Sequence, residues 1–230
     1  MIRPTWEMEA DLANIARQVR ELIAWDITDN ESADAIGAAV LHIVDQAVER
    51  LRGEVACKRG CAWCCYHPVG VTIPEAVLLA EGMRRELSVA EVAGVRAQLA
   101  AHLEQTAGIL DPQEYRRRRF PCPLLTDEGE CGAYGLRPGV CRAYRSLDAQ
   151  QCRASHADPE TEVDTDVTAM WRMGAIFAGS FQAYMDAGRD CCIYDLSAAL
   201  VAALDDITMG ARWARGESFV AIRPALRVIP

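Results

Sequence analysis

The sequence predicts a mostly α-helical, compact domain with long cysteine-rich irregular loops, and three observations lead there. Thirty-seven of the 230 residues are alanine, the strongest helix former. Apolar side chains recur at spacings of three and four through much of the chain, which lines one face of a helix. Helix-capping residues stand ahead of several such patterns, and most of the ten cysteines lie in stretches that lack the pattern. A chain of this length buries roughly 70% of the surface it exposes when unfolded, so the hydrophobic effect can fold it without covalent staples. The cysteines need another explanation.

Taken in order, residues 1–56 hold eleven acidic against five basic side chains and no cysteine. Thr5 can cap a first helix with Met8, Leu12, Ile15, Val19, Leu22 and Ile23 on one face. After a polar break over 28–32, Ile36, Val40, Ile43, Val44, Val48 and Leu51 repeat the period until Gly53 closes it. The two helices are expected to pair antiparallel and pack on the core. The turn-like stretch CKRGCAWCCYHP follows, then a β-like run over 69–73. Thr72 with Pro74 and Glu75, Ser88 with Glu91, and Asp111 with Pro112 and Glu114 signpost helices over 73–87, 89–107 and 112–119.

Residues 120–160 mix Pro, Gly, Asp and Cys with little periodicity. So long a free loop is improbable inside a compact domain, so something must hold it. A helical pattern returns over 164–188, carried by Val167, Met170, Trp171, Ile176, Phe177, Phe181, Tyr184 and Met185, with weaker helices over 196–204 and 209–215. The reading is therefore an N-terminal helical pair (1–56), a cysteine-cluster core (57–160) and C-terminal helices completing the same domain (161–230).

The net charge of −9 argues against general nucleic-acid binding, which selects for a basic footprint. The acidic N-terminus lacks the pattern of an export signal, and the longest apolar run, Ala198 to Leu204, is too short to span a bilayer. A cytoplasmic protein is expected, with no membrane partner. In a reducing compartment, ten cysteines read as metal ligands or redox groups in preference to a disulfide framework. No Walker loop or G-x-G-x-x-G occurs.

The first cysteine set is Cys57-x3-Cys61-x2-Cys64-Cys65, and the second is Cys122, Cys131, Cys141 and Cys152, separated by eight, nine and ten residues. Short spacings in a turn let two thiolates face one ion, while a distant pair closes the coordination and the loop. An iron-sulfur cluster asks for a similarly compact turn. Adjacent side chains such as those of Cys64 and Cys65 diverge. Two metal centres, or one ligand beside one packed thiol, fit that pair better than a single tetrahedral ion. Arg137 and Arg142 are positioned to offset thiolate charge from outside the ligand shell, with Tyr134 beside them or simply packed.

Two motifs, CKRGCAWCC and FPCPLLTDEGECGAYGLRPGVCRAY, resemble those of the CxxCxxCC cysteine-cluster family, also called YkgJ-type, a zinc- or iron-chelating domain. The resemblance spans residues 57–145. It implies ligands at Cys57, Cys61, Cys64, Cys65, Cys122, Cys131 and Cys141, although Cys57-x3-Cys61 is one residue longer than the family spacing. Cys152 and the pair Cys191-Cys192 lie outside it. A similar cluster in flagellin lysine N-methylases is thought to hold iron and sulfur.

The metal-binding expectation thus rests on Cys57, Cys61, Cys64, Cys65, Cys122, Cys131, Cys141 and Cys152. An iron-sulfur cluster, such as 4Fe-4S, is preferred to zinc because the thiols outnumber what one structural zinc requires. Cys57-x3-Cys61-x-Trp63-Cys64 also matches the C-x3-C-x-aromatic-C motif of radical S-adenosylmethionine enzymes, although the alternating strands of their partial barrel are missing from the pattern. An enzyme using S-adenosylmethionine, for methyl transfer or radical chemistry on a small-molecule or protein substrate, and a structural zinc module both stay open, as does the oligomeric state. His67 and His156 could replace a thiolate but read more simply as loop residues. Arg116 to Arg119 complement a helix C-terminus.

Overall fold

The computed structural model describes residues 6–29, 31–49, 51 and 55–226. Thr5 and Gly53, expected to start and stop the N-terminal helices, lie outside them. The chain folds as ten helices among the described residues: α1 (Trp6–Thr28), α2 (Ala33–Glu49), α3 (Ile73–Glu86), α4 (Val89–Gln105), α5 (Pro112–Arg118), α6 (Gly139–Ala143), α7 (Ala149–Ala157), α8 (Val167–Asp186), α9 (Leu196–Asp205) and α10 (Met209–Ala214). The mostly helical architecture follows the periodicity that predicts it.

The three cap signatures start the helices they signpost. Thr72 and Glu75 form a reciprocal capping box at α3, as do Ser88 and Glu91 at α4. Asp111 accepts from the backbone of Gln113 and Glu114 at α5, but Glu114 reaches forward to Arg118 and does not close the box. Such caps contribute about 1 kcal/mol each.

The apolar stripes of α2, α3, α8 and α9 meet in the core through Ile36, Val40, Val44, Ile73, Leu79, Ile176 and Leu200, all essentially buried. Burying each such side chain contributes about 1.5–3 kcal/mol. At one end of the core, Tyr184 of α8 meets Trp213 of α10 edge to face, ring centroids 5.1 Å apart.

The N-terminal helices touch each other, but α1 packs mainly elsewhere. The chief partner of α1 is α8, and the two run parallel: Asp11 approaches Arg172, Ala16 faces Gly179, and Arg20 pairs with Asp186. The cause is local. A Cβ at position 179 would lie 2.2 Å from the Ala16 carbonyl oxygen, so only glycine permits this approach. Val19 and Ile23 are buried here, whereas Leu22, expected on the same face, is 57% exposed.

The β-like run over 69–73 pairs for two residues. β1 (Gly70–Val71) lies antiparallel to β2 (Tyr194–Asp195), with Gly70 opposite Asp195. Thr72 then turns the chain into α3, and this short ribbon ties the end of the first cysteine motif to the start of α9. Residues 120–160 are less irregular than the sequence suggests. They contain α6, α7 and a 3-10 turn at Tyr134–Leu136. These helices span only one to three turns, too short for an apolar period to register.

Candidate metal centre

The first motif is a series of tight turns. Gly60 adopts φ 84°, which favours glycine, and the amide of Cys61 donates to the Lys58 carbonyl. Trp63–Tyr66 then forms a 3-10 turn carrying Cys64 and Cys65. With three residues per turn, adjacent side chains project about 120° apart.

The second motif is brought onto this turn by backbone hydrogen bonds. The Cys122 amide donates to the Cys65 carbonyl at 2.6 Å. Thr126 to Glu130 and Gly132 to Leu124 close a small loop, with Leu125 bridged to Cys131. Cys141 rides on α6, whose first amide, that of Gly139, donates to the buried Glu75 carboxyl at 2.9 Å. The same carboxyl caps α3 through the Thr72 amide and hydroxyl. Glu75 therefore does more than its sequence role as a cap, because it anchors the Cys141 helix to the core.

Cys57 and Cys152 flank the same segment. The Ser146 amide donates to Cys57 Sγ at 3.2 Å, and the Ser146 hydroxyl donates to the Asp148 carbonyl at the start of the helix that carries Cys152. α7, which carries Cys152, packs on the Trp63–Tyr66 turn. There His156 sits 4.3 Å from the Tyr66 ring and 5.5 Å from the Trp63 ring, centroid to centroid.

Burial and mutual repulsion govern these thiols. Burial pushes the Cys122 thiol up to about 12 and the Cys141 thiol well above its ordinary range, aided by neighbouring cysteines. Cys64 is raised chiefly by its hydrogen bond with Cys65 and then by burial. Cys57, Cys131 and Cys152 are raised by burial foremost. Two guanidinium groups act in the opposite direction. Arg137 favours the thiolates of Cys64, Cys131 and Cys141, and Arg145 that of Cys57.

The Nε atoms of Arg137 and Arg145 are buried with no hydrogen-bond partner among the described residues. A buried orphan donor beside a thiol is costly, and a thiolate acceptor would relieve it. The soft donors and these cations fit a thiolate-bound metal. No three His, Cys, Asp or Glu side chains among the described residues converge as one ion would hold them.

The other candidates are placed as follows. Arg137 stacks on Tyr134, 3.9 Å from the ring centroid. Arg142 spends its donors on Asp45 and on the carbonyls of Arg137 and Gly135, so it secures the loop that carries Arg137. His67 packs edge-on against Tyr144, and burial pushes it down to about 4. Cys191 and Cys192 have each other and Asp190 as electrostatic neighbours, apart from the eight. Arg117 pairs with Glu160 and Arg119 with the Ala157 carbonyl, so the arginine run fastens α5 to the end of α7. Sequence reasoning missed Arg145 and Ser146. Arg145 stands four residues after Cys141 in CRAYR, which was a legible signal; Ser146 gave none.

Residues 56–167 match the family model CxxCxxCC, described as "Putative zinc- or iron-chelating domain". This segment is therefore similar to that family over just under half of the chain. The family segment takes in Cys152, which the resemblance over 57–145 had left outside, together with Arg145, Ser146 and α7. No curated protein and no solved structure matches the chain. The only strands among the described residues are two residues long each, which leaves no partial barrel there to accompany the C-x3-C-x-aromatic-C spacing. No helix among them is long and apolar enough to cross a membrane.

Proposed function

We propose that the CxxCxxCC segment is the seat of an iron-sulfur unit, held by thiolates of Cys57, Cys61, Cys64, Cys65, Cys122, Cys131, Cys141 and Cys152. The observation that carries this reading is the family match over 56–167, which holds all eight cysteines, together with the backbone bond from Cys122 to Cys65 and the packing of α7 on the Trp63–Tyr66 turn. Zinc is the alternative metal. Iron and sulfur are favoured because the thiols exceed what a single four-coordinate zinc takes up. When bound, such a cluster supplies one-electron chemistry and cross-links the loops that ligate it.

The chain's own residues have definable parts in this. Arg137 and Arg145 lower the cost of several thiolates in a partly buried place, and Tyr134 holds the Arg137 plane by stacking. Trp63, Tyr66 and His156 pack their rings together and so fasten α7 to the turn that carries Cys64 and Cys65. The decisive experiment is anaerobic purification with analysis of iron, zinc and acid-labile sulfide, and an absorption spectrum of the same sample. Iron with matching sulfide and a broad brown absorption is expected. Zinc without sulfide would replace the iron-sulfur reading with a structural zinc module.

A further inference from the structure

Two thiols stand apart from the eight. Cys191 and Cys192 lie in the loop between α8 and β2, outside residues 56–167, with Cys192 exposed and Cys191 half-buried. The loop is pinned through Asp190. One oxygen of its carboxylate accepts from the Cys192 amide at 2.9 Å, and the other accepts from the Tyr194 hydroxyl at 2.8 Å and the Phe219 amide at 3.2 Å. Its backbone carbonyl accepts from the indole of buried Trp213 at 2.8 Å. Beyond the pair, the Ile193 carbonyl accepts from the Ala225 amide, and the Ile193 side chain fills the space that a Cβ at Gly70 would need. The two thiols therefore sit on the turn to which residues 219–225 are fastened.

We propose that Cys191 and Cys192 form a reversible oxidation site, at which a low-molecular-weight disulfide such as oxidised glutathione converts the two thiols into a disulfide between adjacent residues. The site is independent of the metal-binding reading, since neither residue is among the eight. Cys192, the exposed thiol, loses its proton and attacks one sulfur of the oxidant, whose sulfur-sulfur bond breaks to release one thiol. Cys191 then loses its proton, attacks the Cys192 sulfur and expels the second thiol. Two electrons pass from the pair to the oxidant. Adjacency supplies the resolving thiol without moving any element of the fold. It also makes the product labile. Adjacent Cα atoms are about 3.8 Å apart, short of the roughly 4.4–6.8 Å that structural disulfides span, and a strained, exposed disulfide is easily reduced. Ring closure has to reorient the peptide between the two residues, whose N–H is the one that Asp190 holds. Closure therefore draws that amide from the carboxylate, and the grip of Asp190 on Phe219 loosens with it.

The test uses the full chain as purified. It is incubated with oxidised glutathione, blocked with iodoacetamide and digested with trypsin, which releases residues 190–212 as one peptide with these two cysteines and no other. By mass spectrometry this peptide is expected to be lighter by two hydrogen atoms, unblocked and free of glutathione. Dithiothreitol given before the iodoacetamide should restore two blocked thiols. Two blocked thiols without dithiothreitol, glutathione retained on Cys192 beside a blocked Cys191, or a bond from either cysteine to another peptide overturns the proposal. Cys191→Ser is expected to stop at the glutathione adduct on Cys192, and a Cys191→Ser chain that forms no adduct overturns the assignment of Cys192 as the attacking thiol. Hydrogen exchange of the unaltered chain reads the consequence. The Cys192 and Phe219 amides should exchange about 10-fold faster after oxidation. Unchanged exchange at both, with the disulfide formed, overturns the link to Phe219.

Discussion

At the scale of single residues, the arginines carry as much of the argument as the cysteines. A half-buried thiol resists ionisation, and Cys122, pushed up to about 12, stays protonated at neutral pH unless a cation is supplied. Metal uptake therefore expels protons. Zinc added to the stripped chain in weakly buffered solution should acidify it, and apparent affinity should rise as pH rises. A pH indicator and a chelator competition at two pH values check this. Arg137 and Arg145 lower the same cost through fixed positive charge. Arg137→Met is expected to weaken metal retention about 10- to 100-fold in a chelator competition, with Arg137→Lys recovering part of the loss. Arg142→Met should act only indirectly, by loosening the loop that its donors hold at Arg137 and Gly135.

At the scale of elements, two close fits decide how the helices sit. Gly179→Ala would press a methyl group against the Ala16 carbonyl and should cost about 1–3 kcal/mol, read as a lower Tm. Glu75 couples the start of α3 to the start of α6. Glu75→Ala should cost about 3 kcal/mol, because it strands the buried amides of Thr72 and Gly139, and should reduce metal content by releasing the Cys141 helix.

A third element-scale contact is pH-sensitive. His102 of α4 bridges Tyr115 of α5 and Ser197 of α9, and burial foremost lowers its proton affinity. The unfolded chain then takes up a proton more readily than the folded one as pH falls below about 6.5. Stability should thus be full above that pH and decline beneath it. Thermal melts of His102→Gln between pH 7 and 5 should show a shallower decline than those of the unaltered chain.

For the molecule as a whole, the helices form a frame and the metal-binding loops are fastened to one side of it through Glu75, Asp45 and the ribbon of β1 and β2. Within 120–160 only Leu124, Ala133 and Ala143 of the described residues join the buried apolar core, so ligation should contribute much of the order of this stretch. At a free metal concentration about 1,000-fold above Kd, binding adds about 4 kcal/mol to stability. Chelator-stripped protein should lose protease resistance first within 120–160 and melt lower, while far-ultraviolet circular dichroism keeps most of its helical signal.

Sequence alone determined the helices whose period runs for three turns or more, the caps of α3, α4 and α5, and the resemblance of the cysteine-rich segment to its family, because those signals are local. Arg145, one of the two cations beside the thiols, was also within its reach, from its place after Cys141. Only the tertiary structure decided that α1 lies along α8, that 120–160 contains α6 and α7, that Glu75 reaches Gly139, and that the Ser146 amide meets Cys57. Each of those depends on a contact between residues far apart in the chain, or on an element too short for its period to register. Spacing can say which residues are able to meet, and packing chooses which of them do.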